Sequence, residues 1–164
     1  MKTAHRLASR QKRAALAAPA VLPKFWRPKT APDVQLTCKI IHWDLIELIS
    51  QGKATRAELW DWMETGFTYS QLMRLLAQDG TQFTPEAIAA VQEQIDSYEA
   101  IAQRYQRTGR VGFTGPELMI ARAAAEVFTD LIALDRNGYA QQAALWSTAH
   151  MLKAQHRLQT KEAA

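Results

Sequence analysis

Residues 114–134 read TGPELMIARAAAEVFTDLIAL. Thr114 is a preferred N-cap residue, and Glu117 places a negative charge in the first turn, where the helix dipole favours one. At 3.6 residues per turn the apolar side chains of this segment cover roughly 200° of arc, which leaves a narrow polar strip. The strip consists of Arg122, Glu126, Thr129 and Asp130. Such a helix needs neighbours on several sides, so the segment predicts the central helix of an all-α bundle.

Start and stop signals for helices recur along the rest of the chain. Thr84 before Pro85 marks a start, and Thr55 with Glu58 has the pattern of a capping box. Gly66 is placed to end the short helix that Thr55 opens. The predicted helices span residues 33–51, 55–65, 68–78, 84–107, 114–137 and 139–157. Because no sustained apolar and polar alternation with hairpin turns occurs, we expect a single compact bundle of about five to six helices over residues 33–164.

The first and last predicted helices carry apolar residues at helical spacing. On the first helix, spacings of four and three residues predict the face that packs into the bundle. This face consists of Val34, Cys38, Ile41, Leu45 and Leu48. The last helix carries two apolar stripes, one with Trp146 and one with Leu152, and we expect it to contact two neighbours.

Positive charge is concentrated in the first fifth of the chain. The net charge of the 164 residues is +4. Residues 1–32 contain eight Lys or Arg and no acidic residue, whereas residues 33–164 contain 12 basic and 16 acidic residues. Four prolines between positions 19 and 32 exclude regular helix there, so we expect residues 1–32 to be a basic flexible arm with a Pro-rich linker. Residues 3–18, with Leu7 and Leu16 among cations, can become helical against a partner.

The arm has the residue types of a polyanion-binding segment. Its cations can pair with phosphates while an aromatic side chain of Phe25-Trp26 stacks on a base, as in sequence-tolerant single-strand binders. The predicted polyanion-binding residues are Arg6, Arg10, Lys12, Arg13, Lys24, Trp26, Arg27 and Lys29. An acidic protein surface is an alternative ligand. Phe25 and Trp26 are also compatible with a structural role, in which they fold back on the bundle and tether the linker.

A second cluster of aromatic and Met residues lies between positions 59 and 76. Trp60 and Trp62 point roughly 160° apart on a helix, a wider apolar arc than one groove normally covers. The cluster therefore predicts a protein interface, with a fully buried core cluster as the alternative. The predicted interface residues are Trp60, Trp62, Met63, Phe67 and Tyr69.

The number of cysteines and the length of the longest apolar segment indicate in which cellular compartment the protein is located. The single Cys38 cannot form an internal disulfide, so a reducing compartment fits best and we expect a cytoplasmic protein. The longest apolar run, residues 14–22, contains Pro19 and is too short for a membrane span, which predicts no membrane partner. A basic, acid-free start also resembles an organellar transit peptide, and whether residues 1–20 are a targeting segment stays open.

The sequence lacks the patterns of the common catalytic sites. One Cys and four His are scattered, so we expect no metal and no cofactor, and Cys38 is read as a small buried hydrophobe. Phosphate-binding glycine motifs are absent, and the loop from Arg110 to Gly115 is read as an interhelical turn, with weak anion binding as the alternative. Two carboxylate pairs are read as solvated: Glu93 with Asp96, and Glu126 with Asp130.

We therefore expect a non-enzymatic accessory or regulatory protein that binds a protein partner through the bundle and a polyanion through the arm. One alternative is a DNA-binding regulator that uses a helix-turn-helix unit at residues 55–78, with Arg74 on its second helix. From another class, a small helical enzyme without a recognisable motif remains an alternative. The wide apolar arc at 114–134 is compatible with a homodimer but does not require one.

Overall fold

The computed structural model describes the backbone of residues 31–162 and the side chains of residues 34–154. This part of the chain forms five α-helices and contains no strand. The helices are α1 (Ala31–Ser50), α2 (Arg56–Gln78), α3 (Pro85–Thr108), α4 (Gly115–Leu134) and α5 (Tyr139–Glu162). The prediction of an all-α bundle is confirmed.

Three of the helices begin at the threonines that the sequence marked. Thr55 and Thr114 form complete capping boxes with Glu58 and Glu117, and the side chain of Thr84 accepts a hydrogen bond from a backbone N–H of the first turn of α3. These bonds satisfy backbone donors that a helix start otherwise leaves without partners. The caps fix where α2, α3 and α4 begin, and with them the lengths of the connecting loops.

Helix α4 has neighbours on several sides, as its wide apolar arc predicted. It packs against α1, α2 and α3. Gln35 near the start of α1 donates a hydrogen bond to the Thr129 carbonyl at 3.3 Å, and Lys39 lies 3.7 Å from Glu126. Because one number of each pair rises as the other falls, α1 and α4 are antiparallel. Helix α5 packs mainly against α2, which contacts all four other helices.

The core consists of two clusters. One is built around Phe128 of α4 and includes Tyr69 and Leu72 of α2. The other is built around Trp62 of α2, with Ile49 of α1 and Ile101 of α3 packed into it. Each cluster therefore joins α2 to its neighbours at a different height of the bundle.

The predicted end of a helix at Gly66 is wrong. Helix α2 runs without a break from Arg56 to Gln78, so the two predicted helices 55–65 and 68–78 are one, and the helix-turn-helix unit is not formed. Gly66 is buried where α3 crosses α2. A Cβ atom at this position would overlap the side-chain amide of Gln94 and lie 2.8 Å from Cγ1 of Ile95. The glycine therefore allows close helix packing and does not end the helix.

The predicted inner face of α1 is also partly wrong. From residue 34 onward the buried residues of α1 are His42, Ile46 and Ile49, whereas Ile41 and Leu48 are 58% and 39% exposed. Helix α1 carries apolar residues on both sides, so periodicity alone does not determine which side faces the core. The positions of α2 and α4 determine it.

Helix α5 differs from its prediction in a similar way. Among its side chains up to residue 154, the buried ones are Ala143, Ser147 and Met151, which form one stripe at a spacing of four. Leu152 of the second predicted stripe is exposed. Small residues at the contact let α5 approach α2 closely, and Ser147 donates a hydrogen bond to the Glu64 carbonyl at 3.1 Å.

Gly66→Ala should destabilise the protein by about 1–3 kcal/mol, although alanine is the better helix former, because the new Cβ would crowd both the fully buried Gln94 and Ile95. Urea unfolding measures this change. Gly115→Ala is the matched control, since a Cβ there meets nothing within 4 Å and should leave stability nearly unchanged. Equal stability of both variants would contradict the role of Gly66.

Candidate protein-binding surface on α1

Helix α1 exposes large apolar side chains on the side away from the bundle. The exposed fractions are 59% for Leu36, 51% for Ile40, 58% for Ile41 and 39% for Leu48. At 100° per residue these four positions lie within an arc of roughly 140°. We call these four residues the α1 face. Large apolar side chains exposed together on one side of a helix are typical of a protein contact site.

Acidic residues interrupt and flank the α1 face. Asp44 is exposed and occupies the same i, i+4 row as Leu36, Ile40 and Leu48. Glu47 is exposed beside this row. Lys39, the lysine of α1, lies on the flank next to α4, with its ammonium 3.7 Å from the carboxylate of Glu126. The outer side of α1 is therefore apolar with a local negative charge.

Three aromatic rings fix the orientation of α1. His42 contacts Tyr69 of α2 and Phe128 of α4 edge to face, with ring centroids 5.1 and 5.4 Å apart. Tyr69 and Phe128 stack on each other at 4.1 Å. Because His42 is directed inward at this point, residues on the opposite side of α1 are directed to solvent.

Burial favours the neutral forms of three titratable side chains at this contact: His42, Cys38 and Tyr69. Burial lowers the pKa of His42 to about 4, and its Nδ1 has no hydrogen-bond partner among the described residues. Burial raises the pKa of the Cys38 thiol, although a hydrogen bond with Tyr69 opposes this effect. Burial also raises the pKa of Tyr69. A thiol with a raised pKa is a poor nucleophile, so this arrangement favours packing over catalysis.

The predicted interface residues on α2 fall into two groups. Trp62 and Tyr69 are buried in the core at 1% and 5% exposure, and the indole N–H of Trp62 donates to Ser97 Oγ at 3.4 Å. These two residues are therefore not part of a surface, which corrects the prediction for them. Trp60, Met63 and Phe67 are half-buried.

The half-buried α2 residues lie beside α5. Trp60 and Phe67 share a helix face with Glu64, whose carbonyl and carboxylate accept hydrogen bonds from Ser147 and Thr148 of α5. Helix α5 therefore lies along this face of α2. For Trp60, Met63 and Phe67 an interface role stays a prediction.

The predicted polyanion-binding residues lie outside the described residues. They are Arg6, Arg10, Lys12, Arg13, Lys24, Trp26, Arg27 and Lys29. The boundary of the arm at residue 32 falls at the start of α1, which includes Pro32 in its first turn. Polyanion binding by these residues stays a prediction.

The loop between α3 and α4 borders an open groove of about 400 Å³. Arg104 donates hydrogen bonds to the Gly112 carbonyl and to the Glu117 carboxylate. Burial alone raises the pKa of Glu117, but the hydrogen bonds from Arg104 and Thr114 and the charge of Arg104 outweigh it and hold this pKa below its ordinary value. Residues 109–114 connect α3 to α4 and so form an interhelical turn, as predicted, whereas weak anion binding near Arg110 stays a prediction. Local sequence signals do not predict this pair, because its residues lie 13 positions apart on different helices.

The remaining chemical candidates have ordinary surroundings. Both predicted carboxylate pairs, Glu93 with Asp96 and Glu126 with Asp130, are exposed. Within the described part of the chain, no three His, Cys, Asp or Glu side chains form a group that could hold a metal ion. None of the helices described here combines the length and apolarity that a membrane span requires.

Comparisons with protein-family models, with curated proteins and with solved structures found no match to this chain. The chain's own geometry and chemistry therefore carry the functional argument. The α1 face is the strongest candidate surface, because its apolar side chains are exposed together and are held outward by the packing of His42. The sequence-based prediction of interface residues did not include Leu36 and Ile40. Apolar residues on both sides of one helix are nevertheless a signal of a second contact.

Protonation of His42 should destabilise the fold as the pH falls. The pKa of His42 is about 4 in the folded protein and about 6.5 when unfolded, so the unfolded state binds more protons below pH 6.5. Compared with His42→Leu, the wild type should lose about 2–3 kcal/mol of unfolding free energy between pH 7.5 and 4.5. Urea unfolding of both proteins at each pH measures this difference. Parallel pH profiles would show that His42 is not buried in its neutral form.

Proposed function

We propose that this protein is a non-enzymatic helical accessory or regulatory protein. Its bundle binds a protein partner through the α1 face, and its basic N-terminal arm binds a polyanion, either a nucleic acid or an acidic protein surface. The observation that carries the proposal is the joint exposure of Leu36, Ile40, Ile41 and Leu48 on one helix.

The shape of the bundle supports partner binding through α1. Helix α1 packs against α4 and more weakly against α2, so its outer side is left open among the described helices. Four large apolar side chains in contact with water have an unfavourable hydration free energy, which a partner would remove. Trp60, Met63 and Phe67 of α2 are further candidates at the edge of a partner contact.

The division of charge supports polyanion binding through the arm. Eight cations without an acidic residue in positions 1–32 precede a segment that carries more acidic than basic residues. Phosphate groups are attracted by such a cluster through counterion release, which requires no precise geometry. An acidic protein surface presents a similar field, so both ligands remain in the proposal.

The surroundings of the buried titratable groups favour binding over catalysis. Cys38 and His42 are one helical turn apart, but burial keeps the thiol protonated and the imidazole neutral without a partner for its Nδ1. A nucleophilic site requires a base that is oriented by a third group. We therefore include no reaction in the proposal.

Ile40→Ser should weaken capture of the protein partner by roughly tenfold or more if Ile40 is central to the contact, because central apolar anchors dominate interface energies. Affinity capture from the host lysate, with and without nuclease, measures the bound partner. Ile88→Ser is the matched control, since Ile88 on α3 is equally exposed at 51%. Partners that survive Ile40→Ser and Leu36→Ser would rule out the α1 face as the binding surface.

Neutralising the arm should reduce the salt dependence of polyanion binding. For a labelled single-stranded DNA, replacing Arg10, Lys12 and Arg13 by Gln should lower the slope of log Kd against log salt by about 2, since each lost phosphate contact removes about 0.7. Fluorescence anisotropy measures the slope. The control variant replaces three exposed cations of the bundle, Lys53, Arg107 and Arg110, by Gln. An unchanged slope in the arm variant would place binding outside the arm.

A further inference from the structure

We infer that, without a polyanion, the α1 face binds residues 3–18 of the same chain. This inference rests on the proposed function, because it concerns the same surface and the same arm. It makes partner binding and polyanion binding dependent on each other.

The acidic residues of α1 determine what kind of segment can bind to the α1 face. A segment that packs along the row of Leu36, Ile40 and Leu48 also covers Asp44, which lies in that row. Removing an ionised carboxylate from water without a counter-charge is costly. Lys39 is directed away from Asp44, with its ammonium 3.7 Å from the Glu126 carboxylate on the α4 side. The segment must therefore bring its own cation.

A second copy of the chain does not meet this requirement. If two α1 helices paired in antiparallel fashion about a two-fold axis near residue 42, Asp44 of one would oppose Ile40 of the other. Two carboxylates would then become buried near the axis without an added cation. The α1 face is therefore poorly suited to a symmetric dimer.

Residues 3–18 have the composition that the α1 face requires. They contain four cations and no acidic residue, with Leu7, Leu16 and several alanines between the cations. The positively charged residues can pair with Asp44 and Glu47 while the apolar residues contact Leu36, Ile40 and Leu48. A segment of this composition can become helical against a partner surface.

The connecting residues are long enough for this contact. Residues 19–30 form a 12-residue connection that spans up to about 40 Å when extended. The row from Leu36 to Leu48 is about 18 Å long, and it begins only five residues after the start of α1. Because the segment is tethered to α1, its effective concentration at the face is high.

The two ligands then control each other. A nucleic acid that binds the cations of the arm removes them from Asp44 and uncovers the α1 face for the partner. By linkage, a partner on the α1 face frees the arm and raises its affinity for the nucleic acid by the same factor. Polyanion binding is thus the signal that permits partner binding.

Photo-crosslinking of the isolated full chain tests this inference. With p-benzoylphenylalanine in place of Ile40, irradiation of a dilute sample should give a product of monomer mass linked to a residue within 3–18. Addition of single-stranded DNA should lower the yield roughly tenfold, as should Asp44→Lys. The same crosslinker in place of Ile88 is the matched control and should give no such link. Circular dichroism verifies the fold, and a crosslinker at Leu36 provides a second position.

A charge exchange makes the test specific. In the Asp44→Lys protein, Arg10→Glu together with Arg13→Glu should restore the intramolecular crosslink. A product of dimer mass would instead assign the α1 face to a second copy. If no crosslink to residues 3–18 forms, the α1 face does not bind this segment and is available only to an external partner. Both results overturn the inference, whereas the proposed function is judged separately by partner capture with Ile40→Ser.

Discussion

The contact of His42 with Tyr69 and Phe128 determines which side of α1 faces the core and which side is exposed to solvent. It joins α1, α2 and α4 at one point, through two edge-to-face contacts and one stack. A helix that is apolar on both sides can bury either side against the bundle. The contact between the three rings determines which side of α1 is buried. The exposed surface of α1 is therefore a consequence of core packing.

Burial of a histidine at this contact has a cost that an aliphatic residue would avoid. The ring is neutral, and its Nδ1 lacks a partner among the described atoms. In return, the planar ring makes edge-to-face contacts with two other rings, at centroid distances of 5.1 and 5.4 Å. The inner side of α1 is thus specified by shape, while its outer side combines apolar residues with Asp44 and Glu47.

Local signals predicted the fold well, because caps act within a few residues. Thr55, Thr84 and Thr114 begin helices where expected, since each cap depends only on the next three positions. Long-range packing was not predictable in the same way. The orientation of α1 and the burial of Trp62 depend on which helices lie opposite, and the sequence of one helix does not contain that information. The candidate surface therefore lies on α1, the helix for which apolar periodicity predicted the wrong inward face.

The crossing of α2 and α3 places a constraint on how this sequence can diverge. Every residue other than glycine carries a Cβ, and position 66 has no room for one while glutamine occupies position 94. Gln94 also donates a hydrogen bond to the Trp62 carbonyl at 2.7 Å, so a smaller residue at 94 would leave that carbonyl without this donor. A Cβ at position 66 would also lie 2.8 Å from Cγ1 of Ile95, so a change at 66 is expected only together with changes at 94 and 95 during evolution.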